Sequence, residues 1–143
     1  MNSTPHRAPD REGGASPRAL RTLTGTAGAQ RGWRALFVVL VATVCWLALT
    51  PAPPPDLSTG WDKLNHTLAF ASLAFTGRLG LATKRAPWRL PVTLLLFGGL
   101  IELLQLAVPG RSSEWADLLA DAIGLAAGWV LAWWILRMAE PTR

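Results

Sequence analysis

The side chains in this sequence that could do chemistry are few, and they come at helical spacing. Asp62 and His66 are four apart, Glu102 and Gln105 three apart, and Asp117 and Asp121 four apart. Residues at those separations share a face of an α-helix, so each pair forms one polar cluster on its own helix. Two cations, Lys63 and Arg111, accompany the pairs, and Ser112 follows Arg111. In this pattern Lys63 and Arg111 would contact an anionic group while the carboxylates hold them in place. A histidine beside carboxylates also permits general acid–base work. The plainer readings are helix capping by Asp62 and by Ser112 or Ser113, and a His66 that is simply a satisfied buried side chain. Glu102 and Asp121 resist such readings, because each lies in apolar sequence and a carboxylate there needs a partner such as Lys63, Arg111 or His66.

The elements that must position these residues are four apolar blocks. Half of the 143 residues are hydrophobic, more than a soluble domain of this length normally carries. A bilayer core about 30 Å thick takes roughly 20 helical residues. The blocks fall at about 35–50, 64–82, 89–108 and 116–136, the first ending at the prolines from Pro51 and the third at Pro109-Gly110. The expected fold is therefore all-α, an integral membrane bundle of four transmembrane helices over 33–137. Short connections make consecutive helices antiparallel neighbours. Trp33, Trp61, Trp88 and Trp115 mark span starts and Trp133 and Trp134 the last exit, as indole rings favour the interface.

Residues 1–32 are rich in Arg, Gly, Pro, Ser and Thr and read as a disordered basic tail, and 138–143 as a short tail. The net charge of +5 is arranged around the spans. Six basic residues precede the first span, Arg78, Lys84, Arg85 and Arg89 surround the second connection, and Arg137 and Arg143 follow the fourth span. Only Lys63 and Arg111 fall on the other side, so both termini are expected in the cytoplasm. This arrangement also explains the basic balance without nucleic acid, and membrane lipids are the expected surroundings. A cleaved signal peptide is the rival reading of the first block, opposed by Pro51 at the would-be cleavage site. Cys45, the single cysteine, forms no intramolecular disulfide.

With this orientation the three polar pairs lie at one depth near the outer ends of their helices, with Arg111 and Ser112 in the loop above. Gly98 continues the polar face of the third helix, and Gly124 and Gly128 that of the fourth. Small residues let helices approach, so the polar faces are expected to be the packed ones. Phosphate loops, paired-histidine helices, cysteine pairs and nucleophile elbows are absent. A metal site would have one histidine and carboxylates only, and neither a metal nor a cofactor is expected.

The run Asp62-Lys63-x-x-His66-x-x-x-Phe70-x-x-Leu73, then Glu102-x-x-Gln105, Pro109-Gly110-Arg111-Ser112, and Asp117-x-x-x-Asp121-x-x-Gly124-x-x-x-Gly128 resembles the VanZ-like family, named for a teicoplanin-resistance accessory protein. Phe70 stands where many members carry Tyr, and Asp121 where many carry Asn. The resemblance implies a multi-pass protein of the bacterial cytoplasmic (inner) membrane, linked in one branch to antibiotic resistance and the cell envelope. It implies no settled activity.

Three functions fit these residues. The leading expectation is a non-enzymatic protein whose outward polar pocket binds an envelope lipid headgroup or a glycopeptide-type ligand. The second is a membrane-embedded enzyme acting on a lipid-linked envelope substrate through His66 and a carboxylate. The third is a structural or assembly factor in which the cluster only locks the bundle.

Overall fold

The computed structural model describes residues 17–51, 62–81 and 86–140. These form helices α1 (Pro17–Gly25), α2 (Ala27–Leu49), α3 (Asp62–Gly80), α4 (Arg89–Gln105) and α5 (Trp115–Ala139), with no strand among the described residues. The all-α expectation therefore stands, with one helix more than the four apolar blocks.

The additional helix lies in the segment expected to be an unstructured tail, whose part before Pro17 falls outside the described residues. Pro17 opens α1, where a missing amide donor carries no penalty. Thr24 is buried, and α1 packs against α2 and α5. Trp33 on α2 donates its indole N–H to the Leu23 carbonyl at 2.8 Å, tying the end of α1 down. Thr26 caps α2, its hydroxyl accepting from the Ala29 amide at 3.1 Å. Composition alone missed this order because the stabilising partner, α5, lies a hundred residues away.

Proline ends α2: Thr50 is extended (ψ 132°), as the residue before Pro51 must be. The third block is expected to run to Val108, yet α4 stops at Gln105, and Gly110 turns the chain at φ 75°. Glu102 and Gln105 thereby fall in the last turn of α4. Two helices, α2 and α5, are long and apolar enough to cross a membrane by themselves. The 17 residues of α4 rise about 25 Å, and α3 carries five polar or charged residues near its two ends (Asp62, Lys63, Asn65, His66 and Arg78).

Helix α3 sits at the centre, packed against α2, α4 and α5. Phe70, Leu73 and Ala74 of α3 form the core with Leu94 of α4 and Leu125 of α5. Arg34 at the start of α2 donates to the Gly80 carbonyl at the end of α3 at 2.7 Å, so α2 and α3 are antiparallel. In contrast, α3 and α5 run parallel, with His66 beside Asp121 and Arg78 stacked on Trp129 at 4.9 Å.

Glycine makes that parallel pairing close. A Cβ at Gly124 would strike the Thr67 backbone, and one at Gly128 the Ala71 backbone. These glycines face α3 as expected of a small-residue packing stripe. The molecule is polar within and apolar without: Glu102, Gln105, Asp117 and Asp121 are buried, while Leu96, Leu103, Leu119 and Val130 are exposed. That distribution inverts the rule for soluble domains.

Candidate functional site

The start of α3, the end of α4, the loop 111–114 and the start of α5 meet at one end of the bundle. Their parallel or antiparallel directions bring the polar pairs to a common level. His66 Nδ1 lies 2.9 Å from Asp121 Oδ1, and Asp121 is 1% exposed. A carboxylate held against Nδ1 accepts a hydrogen bond from the N–H there, which leaves Nε2 as the other position of the ring. The other Asp121 oxygen, Oδ2, has no hydrogen-bond partner and rests against Gly98. A Cβ at Gly98 would come within 2.6 Å of that oxygen, so the glycine makes room for the carboxylate.

Lys63 crosses from α3 to the start of α5, with Nζ 2.9 Å from Glu114 and 3.8 Å from Asp117. It lies just ahead of the span expected from Leu64, and its pKa is raised above the ordinary lysine value, first by the hydrogen bond to Glu114 and then by the Asp117 charge. Glu102 Oε2 accepts the Glu114 backbone amide at 3.2 Å, satisfying a donor at the start of α5. Its Oε1 is buried without a partner, as is Asp117 Oδ1.

Arg111 and Gln105 act on the backbone of α2. The Arg111 guanidinium donates to the carbonyls of Leu47 at 2.7 Å and Thr50 at 3.3 Å, and Gln105 Nε2 donates to Ala48 at 3.2 Å. Those carbonyls belong to the last turn of α2, which lacks intrahelical partners. The expected pairing of Arg111 with a carboxylate is replaced by this capping role. The capping expected of Ser112 or Ser113 is also absent: Glu114 stands at the N-cap of α5 and makes no side-chain cap bond. Ser112 is exposed and makes no hydrogen bond among the described residues.

Beside these groups is a cavity of about 410 Å³. One end is polar, formed by Asp62, Asn65, His66, Gln105 and Arg111. The remaining wall is apolar and includes Val44, Leu47, Leu68, Ala69 and Ile101 from α2, α3 and α4. Asp62, His66 and Asp117 each bring a potential metal-ligating atom within 4.8 Å of the others.

Glu114 and Asn65 belong to the site but were not singled out from the sequence. Glu114 directly precedes α5, and its position before a helix was the one signal that could have marked it.

Compared with known families, residues 29–137 match VanZ/LLP1. The chain belongs to the VanZ/LLP1 family. No curated protein and no solved structure matches it. Membership together with the apolar helices α2 and α5 marks this VanZ-like chain as a membrane protein. The match takes in α3 and α4 and all but the first two residues of α2 and the last two of α5, and so includes the whole polar end. Phe70 is buried with its ring against Gly98, and Asp121 is the partner of His66.

Proposed function

We propose that this VanZ-like protein crosses the bacterial cytoplasmic membrane four times, through α2, α3, α4 and α5, and binds an amphiphilic envelope molecule at the outer end of the bundle. The cavity carries this reading. Its polar end suits a headgroup, and its apolar wall suits the first part of a lipid chain. The inside-out distribution of polar and apolar residues supports the crossings of the short α3–α4 pair, in which Glu102 is buried and His66 and Arg78 are half-buried, while Asp62, Lys63 and Arg89 are exposed at the helix ends. Positive charge before α2 and around the α3–α4 connection supports cytoplasmic termini.

Orientation is tested by placing a cysteine at Ser112 in a Cys45→Ala background and labelling intact cells with an impermeant maleimide. Labelling from outside is expected, and labelling only after lysis would reverse the orientation. Binding is tested by extracting and identifying lipids that co-purify with the protein in mild detergent. Leu68→Trp fills the apolar wall and is expected to weaken retention of a bound lipid about tenfold, equivalent to about 1.4 kcal/mol. Equal lipid recovery from wild type and Leu68→Trp would remove the cavity from the account. A glycopeptide-type ligand is tested in the same preparation by direct titration.

A second reading rests on the His66–Asp121 pair, since a histidine oriented by a buried carboxylate is how general bases are built. In that reading His66 takes a proton from water or a hydroxyl of a lipid-linked substrate. Turnover of an envelope lipid by the purified protein, lost in His66→Gln, is its signature.

A further inference from the structure

We infer that Asp62, His66 and Asp117 form a site for a divalent first-row metal ion, Zn2+ in preference to Mn2+. One imidazole nitrogen and two carboxylate oxygens lie within 4.8 Å of one another. Metal–ligand bonds of about 2.0–2.2 Å bring such donors roughly 3–4 Å apart, so the donors would draw together by about 1 Å to close the set.

Two further observations point to a ligand. Asp117 is 3% exposed, and its Oδ1 has no hydrogen-bond partner. The nearest cation, Lys63, stays 3.8 Å from that oxygen because Glu114 holds it at 2.9 Å. A buried carboxylate oxygen left in this way costs stability unless something meets it. Secondly, His66 already has the outer-shell arrangement of a metal ligand. Asp121 fixes the ring through Nδ1, and in the neutral imidazole with Nδ1–H donating to Asp121 the lone pair lies on Nε2.

Charge points the same way. Five carboxylates gather at this end (Asp62, Glu102, Glu114, Asp117, Asp121) against two permanent cations, and Arg111 is bonded to backbone carbonyls. An added dication would offset that excess. The mixed nitrogen and oxygen set suits Zn2+ and Mn2+, with Zn2+ binding more tightly, and is a poor set for Mg2+. Asp62 and His66 also line the cavity, so the ion would present positive charge to an anionic headgroup. That consequence rests on the lipid reading, whereas the ion site itself does not.

The test is calorimetric titration of the full chain, without a histidine tag, in detergent after chelator treatment and in the absence of added lipid. Zn2+ is expected to bind at one equivalent, Mn2+ more weakly, and Mg2+ not measurably. Asp62→Asn, His66→Gln and Asp117→Asn are each expected to weaken Zn2+ binding about tenfold or more. Asp62 is exposed, so its variant keeps the fold and decides the matter even if the two less exposed variants fail to fold. Absence of saturable Zn2+ binding to the wild type overturns the site, as does binding unchanged in folded Asp62→Asn. Loss of lipid binding with Zn2+ binding intact would overturn only the lipid reading.

Discussion

Two stretches of the same α3–α5 interface are built on opposite principles. In the middle, Gly124 and Gly128 lie against the backbones of Thr67 and Ala71, with no charged group between the helices. One turn away, His66 meets Asp121 and Lys63 spans Glu114 and Asp117, with Asp117 Oδ1 and Asp121 Oδ2 buried and without a hydrogen bond. The glycine stretch gains from close dispersion contact and loses nothing to desolvation. The polar stretch carries a penalty that a purely structural interface would avoid by using apolar residues. The first holds the helices together, and the second is held in place by it. This contrast favours a working role for the polar end.

The largest expected effect follows from the glycine stretch. Gly128→Val places a side chain into the Ala71 backbone, which cannot move aside as a flexible side chain can. A loss of about 4 kcal/mol or more is expected, the range of severe core disruption, seen as failure to recover monodisperse protein. Normal yield would show that α3 and α5 can separate at little cost, and the contrast would collapse.

Next comes a change of the opposite sign. Glu102→Gln keeps the side-chain shape, and its carbonyl can still accept from the Glu114 amide, while a neutral amide NH2 replaces the buried charged oxygen. A gain of about 1 kcal/mol in stability is expected, and because Glu102 neither lines the cavity nor belongs to the candidate metal set, ligand retention should fall only through the lost negative charge at this end. Thermal unfolding in detergent and lipid co-purification read the two effects separately. A destabilised Glu102→Gln with full ligand retention would place Glu102 among the structural residues.

Gly98→Ala tests the border between the two stretches. The added Cβ meets Asp121 Oδ2 at 2.6 Å and the Phe70 ring at 3.1 Å. Carboxylate and ring can each shift slightly, so a loss of about 1–2 kcal/mol is expected. The same shift should disturb the Asp121–His66 bond, so ligand or Zn2+ affinity should fall further than stability alone predicts.

Much of this border was legible in the sequence. The three helical pairs and the glycines below them share faces by spacing alone, and the proline run from Pro51 sets where α2 ends, whereas α4 stops at Gln105, short of Pro109-Gly110. What spacing could not supply was the partner across a helix gap. Arg111 was expected to meet a carboxylate, but the last turn of α2 presents unpaired carbonyls nearer to it. Glu114 was overlooked because its role depends on Lys63 and Glu102, 51 and 12 residues away. The donor set of a metal site, one histidine with carboxylates, was legible, but not which carboxylates join His66, since the ligands come from two helices and match no local motif. Order before Ala27 was hidden too, as α1 has weak local signals and finds its support on α5.

The smallest expected effect concerns Lys63. Its ion pair with Glu114 joins two side chains that are each about half exposed, at 56% and 51%. Exposed pairs contribute little, so Lys63→Gln should change stability by no more than about 0.5 kcal/mol, with the difference fading in high salt. The same substitution removes the Lys63 charge 3.8 Å from Asp117 Oδ1 and leaves that oxygen more negative in effect. If Asp117 is a metal ligand, Zn2+ affinity should therefore rise a few-fold in Lys63→Gln while the melting temperature stays put. A fall in stability beyond about 1 kcal/mol with no gain in Zn2+ affinity would mean that Lys63 is a strut, and that the polar end is held by ion pairs much as the middle is held by glycine.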